Sequence, residues 1–97
     1  MPVRKAIVSA AIGLHARPAA VFVRAVTETG LPVTIRKAGA ASVDARSLLE
    51  VMTADFNHGC EVELAVMEAS IPDGYSLADA EGALLVLAAM LEAEKAS

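Results

Sequence analysis

Ninety-seven residues, 56% of them hydrophobic but only Phe22, Phe56 and Tyr75 aromatic, set the scale of a single domain, residues 1–97, with an aliphatic core. No apolar run reaches the roughly 20 residues of a membrane span, residues 1–11 lack the apolar centre of a signal peptide, and the lone Cys60 excludes an internal disulfide, so a cytoplasmic address without membrane insertion is expected. The net charge of −4 is uneven, +5 over residues 1–37 against −9 over residues 38–97; an acidic chain with no basic stripe among aromatics argues against nucleic acid, and its basic N-terminal part suits anionic partners.

Residues 3–9 read as a strand with Ala6 and Val8 on one face, followed by a loop through Leu14. Over residues 16–29, Ala19, Phe22, Val23 and Val26 recur at helical spacing and make one buried face, and Gly30 closes the helix. The other face carries Arg17, Ala20, Val21 and Arg24, and an apolar residue between two arginines is compatible with a docking patch. Residues 31–37 alternate, with Val33 and Ile35 inward and Pro32 near the strand start. Gly39 then turns the chain into a short strand at residues 42–44, so the two strands pair as a hairpin. Ser47-Leu48-Leu49-Glu50 matches the capping-box template and starts a short helix over residues 48–54. Leu48, Leu49 and Met52 crowd one side of it, either as core or as an exposed patch for partners.

A turn at residues 57–60 leads into the clearest strand, residues 61–66, with Val62, Leu64 and Val66 inward. After a loop at residues 71–74, Ser76 caps a last helix with Asp79 three residues on. Its core stripe is Leu77, Ala80, Leu84, Leu87 and Leu91, widened by Leu85, Val86 and Met90; Gly82 lowers helix propensity without abolishing it. The order βαββαβα suits an α+β fold, a sheet covered by helices on one face, and leaves the strand order open.

The most informative stretch is Gly13-Leu14-His15-Ala16-Arg17-Pro18-Ala19-Ala20. Proline is tolerated in a first helical turn, where N–H groups lack intrahelical partners. A helix starting at Ala16 therefore puts His15 at its N-cap, over free amides and the positive end of the macrodipole, with Arg17 in the first turn. Such a terminus binds anions. Imidazole ordinarily titrates near neutrality, so an uncharged, nucleophilic nitrogen is present at cellular pH. A phosphoryl group received there would meet the amides and the guanidinium, and phosphoryl transfer asks mainly for positioning and charge stabilisation. The plainer alternative makes His15 a polar cap and Arg17 a solvated charge.

Gly13-Leu14-His15-Ala16-Arg17-Pro18-Ala19 resembles the active-site signature of the histidine-containing phosphocarrier protein (HPr) family of the bacterial phosphoenolpyruvate-dependent sugar phosphotransferase system. Ser47-Leu48-Leu49 with Val51-Met52 resembles that family's regulatory-serine region, at a spacing one residue longer than the common pattern. The resemblance covers nearly the whole chain. It implies an open-faced β-sandwich, a four-stranded antiparallel sheet of order 1-4-2-3 covered on one face by three helices. It also implies that His15 accepts a phosphoryl group on Nδ1, that Arg17 pairs with the phosphate, and that Leu14, Ala16 and Pro18 shape the turn, the Ala16, Arg17, Pro18 region being the phosphate-binding part.

By the same resemblance the chain is a carrier and not an independent enzyme, with no cofactor, loaded by Enzyme I and unloaded by the IIA domains of sugar permeases. A monomer is expected, and the exposed-face residues Ala20, Val21 and Arg24 with the apolar Leu48, Leu49 and Met52 are, from their own pattern, the expected partner-binding surface. Ser47 is similar to the serine handled by a dedicated serine kinase/phosphorylase in some bacterial lineages. A phosphate at a helix N-cap gains dipole stabilisation while adding about two negative charges. Glu50 stands where the family often has a small residue and would repel a phosphoserine, and a plain helix cap is the other reading of Ser47.

His58 and Cys60 stand two apart without further ligands, so no metal site is expected. Neither histidine has a serine and an orienting acid nearby for a catalytic triad. Two alternatives to sugar phosphotransfer stay open: the same module feeding a dihydroxyacetone kinase or a regulatory phosphotransferase branch, and an adaptor switched at Ser47 with His15 idle.

Overall fold

In the computed structural model, which describes residues 2–93, the chain runs β1 (Val3–Ile7), α1 (Ala16–Thr29), β2 (Val33–Lys37), β3 (Val43–Asp44), α2 (Leu48–Thr53), β4 (Glu61–Val66), a 3-10 turn (Glu68–Ser70) and α3 (Leu77–Ala93). The four strands form one antiparallel sheet in the order β1-β4-β2-β3. β4, the strand with the cleanest alternation, is thus an inner strand. Its register sets Val62 opposite Ala6 and Leu64 opposite Ile35, so the inward residues line up across the sheet.

Three helices cover that row. Val33, Ile35, Val62, Leu64 and Val66 of the sheet join Phe22 and Val26 of α1, Val51 of α2 and Leu84, Leu87 and Leu91 of α3 in one cluster. Each such side chain contributes roughly 1.5–3 kcal/mol relative to staying exposed. Among the described residues no polar or charged side chain is buried, so the core demands no internal ion pairing. The other face of the sheet is solvated: Arg36 donates to Glu63, its partner in register, at 3.1 Å.

The helix ends follow from local chemistry. Gly30 takes φ 73° after α1 and its N–H donates to the Thr27 carbonyl, a left-handed cap that other residues adopt less readily. Before α3 the capping box is reciprocal, the Ser76 amide donating to Asp79 Oδ2 at 2.8 Å and the Asp79 amide to Ser76 Oγ at 3.1 Å.

Several expected boundaries contract. β1 ends at Ile7, β2 begins at Val33, β3 holds only Val43 and Asp44, and α2 stops at Thr53, while the inward faces stay as expected. The larger correction is in α3: Leu77, Leu85 and Val86 are 44%, 48% and 66% exposed, Met90 is half-buried, and Ala88 is buried instead. This helix is apolar around nearly its whole circumference, and only the side that meets β1, β4 and α1 finds neighbours.

Candidate functional site

The loop between β1 and α1 is anchored on both sides of His15. Before it, Leu14 is buried and its amide donates to the Phe56 carbonyl at 2.8 Å; after it, Pro18 and Ala19 are buried. Between these anchors His15 is extended (φ −129°, ψ 159°), half-buried, and makes no side-chain capping bond. It occupies the N-cap by position while its ring stays uncommitted to the helix. Ala16 follows with φ 49°, in the left-handed region. Strain of that kind costs on the order of 1–3 kcal/mol and persists only where the surroundings enforce it.

Pro18 reduces the set of free amides by one. The Ala19 amide makes the first regular bond of the helix, to the His15 carbonyl at 3.5 Å, and Pro18 has no N–H. The donors left at this terminus are the amides of Ala16 and Arg17, fewer than a regular helix start offers. No acidic residue occupies the first turn of α1, so no carboxylate there competes for an incoming anion. Ala16 and Arg17 are exposed, and Arg17 has no ion-pair partner among the described residues. An imidazole, two amides and a free guanidinium at one helix end have the chemistry to hold a tetrahedral oxyanion.

The expected docking residues divide. Ala20, Val21 and Arg24 are exposed, and Arg24 reaches Glu28 at 3.4 Å in a pair that water screens. On α2, which packs beside α1, Val51 is the buried residue, Leu48 and Leu49 are 41% and 74% exposed, and Met52 is partly buried against the core. The stripe read from the sequence is therefore mostly surface.

Ser47 is the N-cap of α2, its Oγ accepting from the Glu50 amide at 3.2 Å. The expected capping box closes only on that side. Glu50 Oε1 accepts from the Asp44 amide at 3.0 Å, and the Ser47 amide donates to the Asp44 carbonyl at 3.0 Å. Burial raises the Asp44 carboxyl, but the Arg46 backbone N–H and guanidinium, at 2.9 Å and 3.1 Å, outweigh it and leave the group below its ordinary value.

His58 and Cys60 have separate uses. His58 Nδ1 lies 3.1 Å from the Ala10 carbonyl, and since a carbonyl only accepts, that nitrogen carries the proton. Cys60 is half-buried, and burial pushes its thiol up against the opposing pull of Lys37 and a backbone hydrogen bond at Asn57. Two features went unread in the sequence: the left-handed Ala16, which no glycine or asparagine announces, and the contact of the loop with residues 56–58, a tertiary meeting without a local pattern.

Residues 3–93 match the family model described as "PTS HPr component phosphorylation site". The chain belongs to the HPr family. The phosphocarrier protein HPr of Streptomyces coelicolor is 51% identical to it over 65 residues, 67% of this chain and 70% of that protein. The crystal structure of a phosphocarrier protein HPr from Bacillus anthracis is 31% identical, covers 93% of this chain and 95% of its own, and superposes with a TM-score of 0.76. HPr-C-His from Thermoanaerobacter tengcongensis is 27% identical over 92% of each chain, with a TM-score of 0.72. Membership makes the chain a phosphocarrier of the phosphotransferase system, a carrier rather than a catalyst, and sugar transport follows from the family. The 1-4-2-3 sheet under three helices is the arrangement of the HPr structures. Among the described residues no helix is long and apolar enough to cross a membrane.

Proposed function

We propose that this chain, a single HPr domain over residues 1–97, takes a phosphoryl group from the phosphohistidine of Enzyme I onto His15 Nδ1 and passes it to the IIA domain of a sugar permease, as a monomer in the cytoplasm. The observation that carries this reading is the start of α1, where a half-buried His15 with no side-chain capping bond precedes a left-handed Ala16 and an exposed Arg17 that has no ion-pair partner among the described residues. An adaptor with an idle His15 leaves the strain at Ala16 without a purpose.

In the loading step the Nδ1 lone pair attacks phosphorus. The new N–P bond forms as the bond from phosphorus to the Enzyme I histidine nitrogen breaks, and that imidazole leaves with the bonding pair. His15 must then carry its proton on Nε2. The phosphoryl oxygens meet the Ala16 and Arg17 amides, which the backbone fixes before the group arrives, and the Arg17 guanidinium, which swings onto them. Unloading onto IIA reverses the roles. Ala20, Val21, Arg24, Leu48, Leu49 and Met52 form the docking surface, on which the exposure of Leu48 and Leu49 supplies apolar area and the basic residues 1–37 steer an acidic partner. Phosphorylation of Ser47 by a serine kinase would put about two charges at the edge of that surface, beside Asp44 and Glu50, and weaken docking.

The test is incubation with labelled phosphoenolpyruvate and Enzyme I, followed by mapping of the label. Acid-labile label on His15, absent from His15→Ala, is the expected result. Full labelling of the alanine variant, or acid-stable phosphoserine alone, contradicts the proposal.

A further inference from the structure

We propose that His58 is a positioning residue for transfer at His15, holding residues 10–14 in place through the Ala10 carbonyl; the inference rests on the carrier reading above.

The loop before His15 lies against the backbone of residues 56–58. The Leu14 amide donates to the Phe56 carbonyl at 2.8 Å. A Cβ on Gly13, which has φ 74°, would stand 2.6 Å from the Phe56 carbonyl oxygen and 2.9 Å from Asn57 Cα, so the two segments touch without room for a side chain. The Ala10 carbonyl then gathers two donors, the Gly13 amide at 2.9 Å, which closes a turn, and His58 Nδ1 at 3.1 Å. The platform is itself fixed: the Asp55 carbonyl accepts from Lys37 Nζ at 3.0 Å, and the Gly59 amide donates to the Val8 carbonyl at 2.8 Å. Of the bonds between loop and platform, the His58 bond is made by a side chain, and it can be removed without altering either backbone.

Loss of this donor frees one end of the turn that leads through Leu14 to His15. Transfer depends on the nucleophile being held at the right distance and angle, and misplacement by about 1 Å can lower a rate by as much as 10²-fold. An asparagine side chain puts an amide N–H where His Nδ1–H stood, whereas leucine fills similar space without a donor.

The experiment compares wild type, His58→Leu and His58→Asn as substrates of phospho-Enzyme I, together with amide hydrogen exchange at Gly13 and Leu14. For His58→Leu the expected result is faster exchange at those amides with β4 and α3 unchanged, and a kcat lower by roughly tenfold at constant KM; His58→Asn restores both. Unchanged exchange or unchanged kcat in His58→Leu overturns the positioning role and leaves the carrier reading standing. A raised KM alone makes His58 a partner contact and overturns it as well, as does failure of folded His58→Asn to rescue. A wild-type chain that takes no label on His15 defeats the carrier reading and this inference together.

Discussion

Leu14 and Phe56 are joined by a 2.8 Å hydrogen bond from amide to carbonyl, and both side chains are buried, so the loop that ends in His15 is anchored to the turn after α2 as well as to its own helix. The N-terminus of α1 is thereby presented on a platform, and its free groups keep their direction without an internal cap.

Gly13 is where that platform is least forgiving. Gly13→Ala puts a Cβ against the backbone at Phe56 and Asn57 and forces alanine into φ 74°. A loss of roughly 1–3 kcal/mol in unfolding free energy is expected, measurable by urea denaturation. A neutral result would mean that the loop moves freely off residues 56 and 57.

Arg17 is exposed and has no ion-pair partner among the described residues, so its removal should leave the fold alone. Arg17→Ala is expected to stay within about 0.5 kcal/mol of wild type and to slow phosphoryl transfer by roughly tenfold or more. Marked unfolding would contradict this and make Arg17 a structural residue.

The legibility of the structure in the sequence varies with the element. Pro18 in a first turn and Gly30 at a left-handed cap mark both ends of α1 by local chemistry, and β4 announces its inward face through Val62, Leu64 and Val66. Alternation says which face is inward but not which strand is the neighbour, so the order 1-4-2-3 is implied by the family resemblance alone. In α3 apolar residues surround the axis, and periodicity had no means of choosing Ala88 over Leu85. At the site, His15 and Arg17 are readable because helix-end chemistry is local. The left-handed Ala16 and the bond from His58 to Ala10, 48 residues apart, are imposed by tertiary packing.

The α3 correction has a direct check. Leu84 is 1% exposed and Val86 66%, so Leu84→Ala should cost about 2–5 kcal/mol while Val86→Ala should lie within about 0.5 kcal/mol of wild type. Comparable losses at the two positions would put Val86 back in the core.

Asp44 gives a pH dependence with a defined sign. Its carboxyl is burdened by burial but held below its ordinary value by Arg46, so folding favours the charged form. That contribution is present above the unfolded carboxylate value of about 4 and fades as pH falls through the lower folded value. The pair is about half exposed, with side-chain exposures of 49% and 41%, and solvent screening keeps the effect small. The gap in urea midpoint between wild type and Asp44→Asn should narrow as pH drops from about 6 to about 3; a gap that widens would contradict the assignment.

The most direct measurement is NMR of the loaded chain, using nitrogen-labelled histidine and the phosphorus signal after reaction with phosphoenolpyruvate and Enzyme I. The account predicts a phosphorus–nitrogen coupling at Nδ1 of His15 that disappears when a IIA domain is added. A phosphorus signal on Nε2, on His58 or on a serine oxygen, with His15 unchanged, would contradict it.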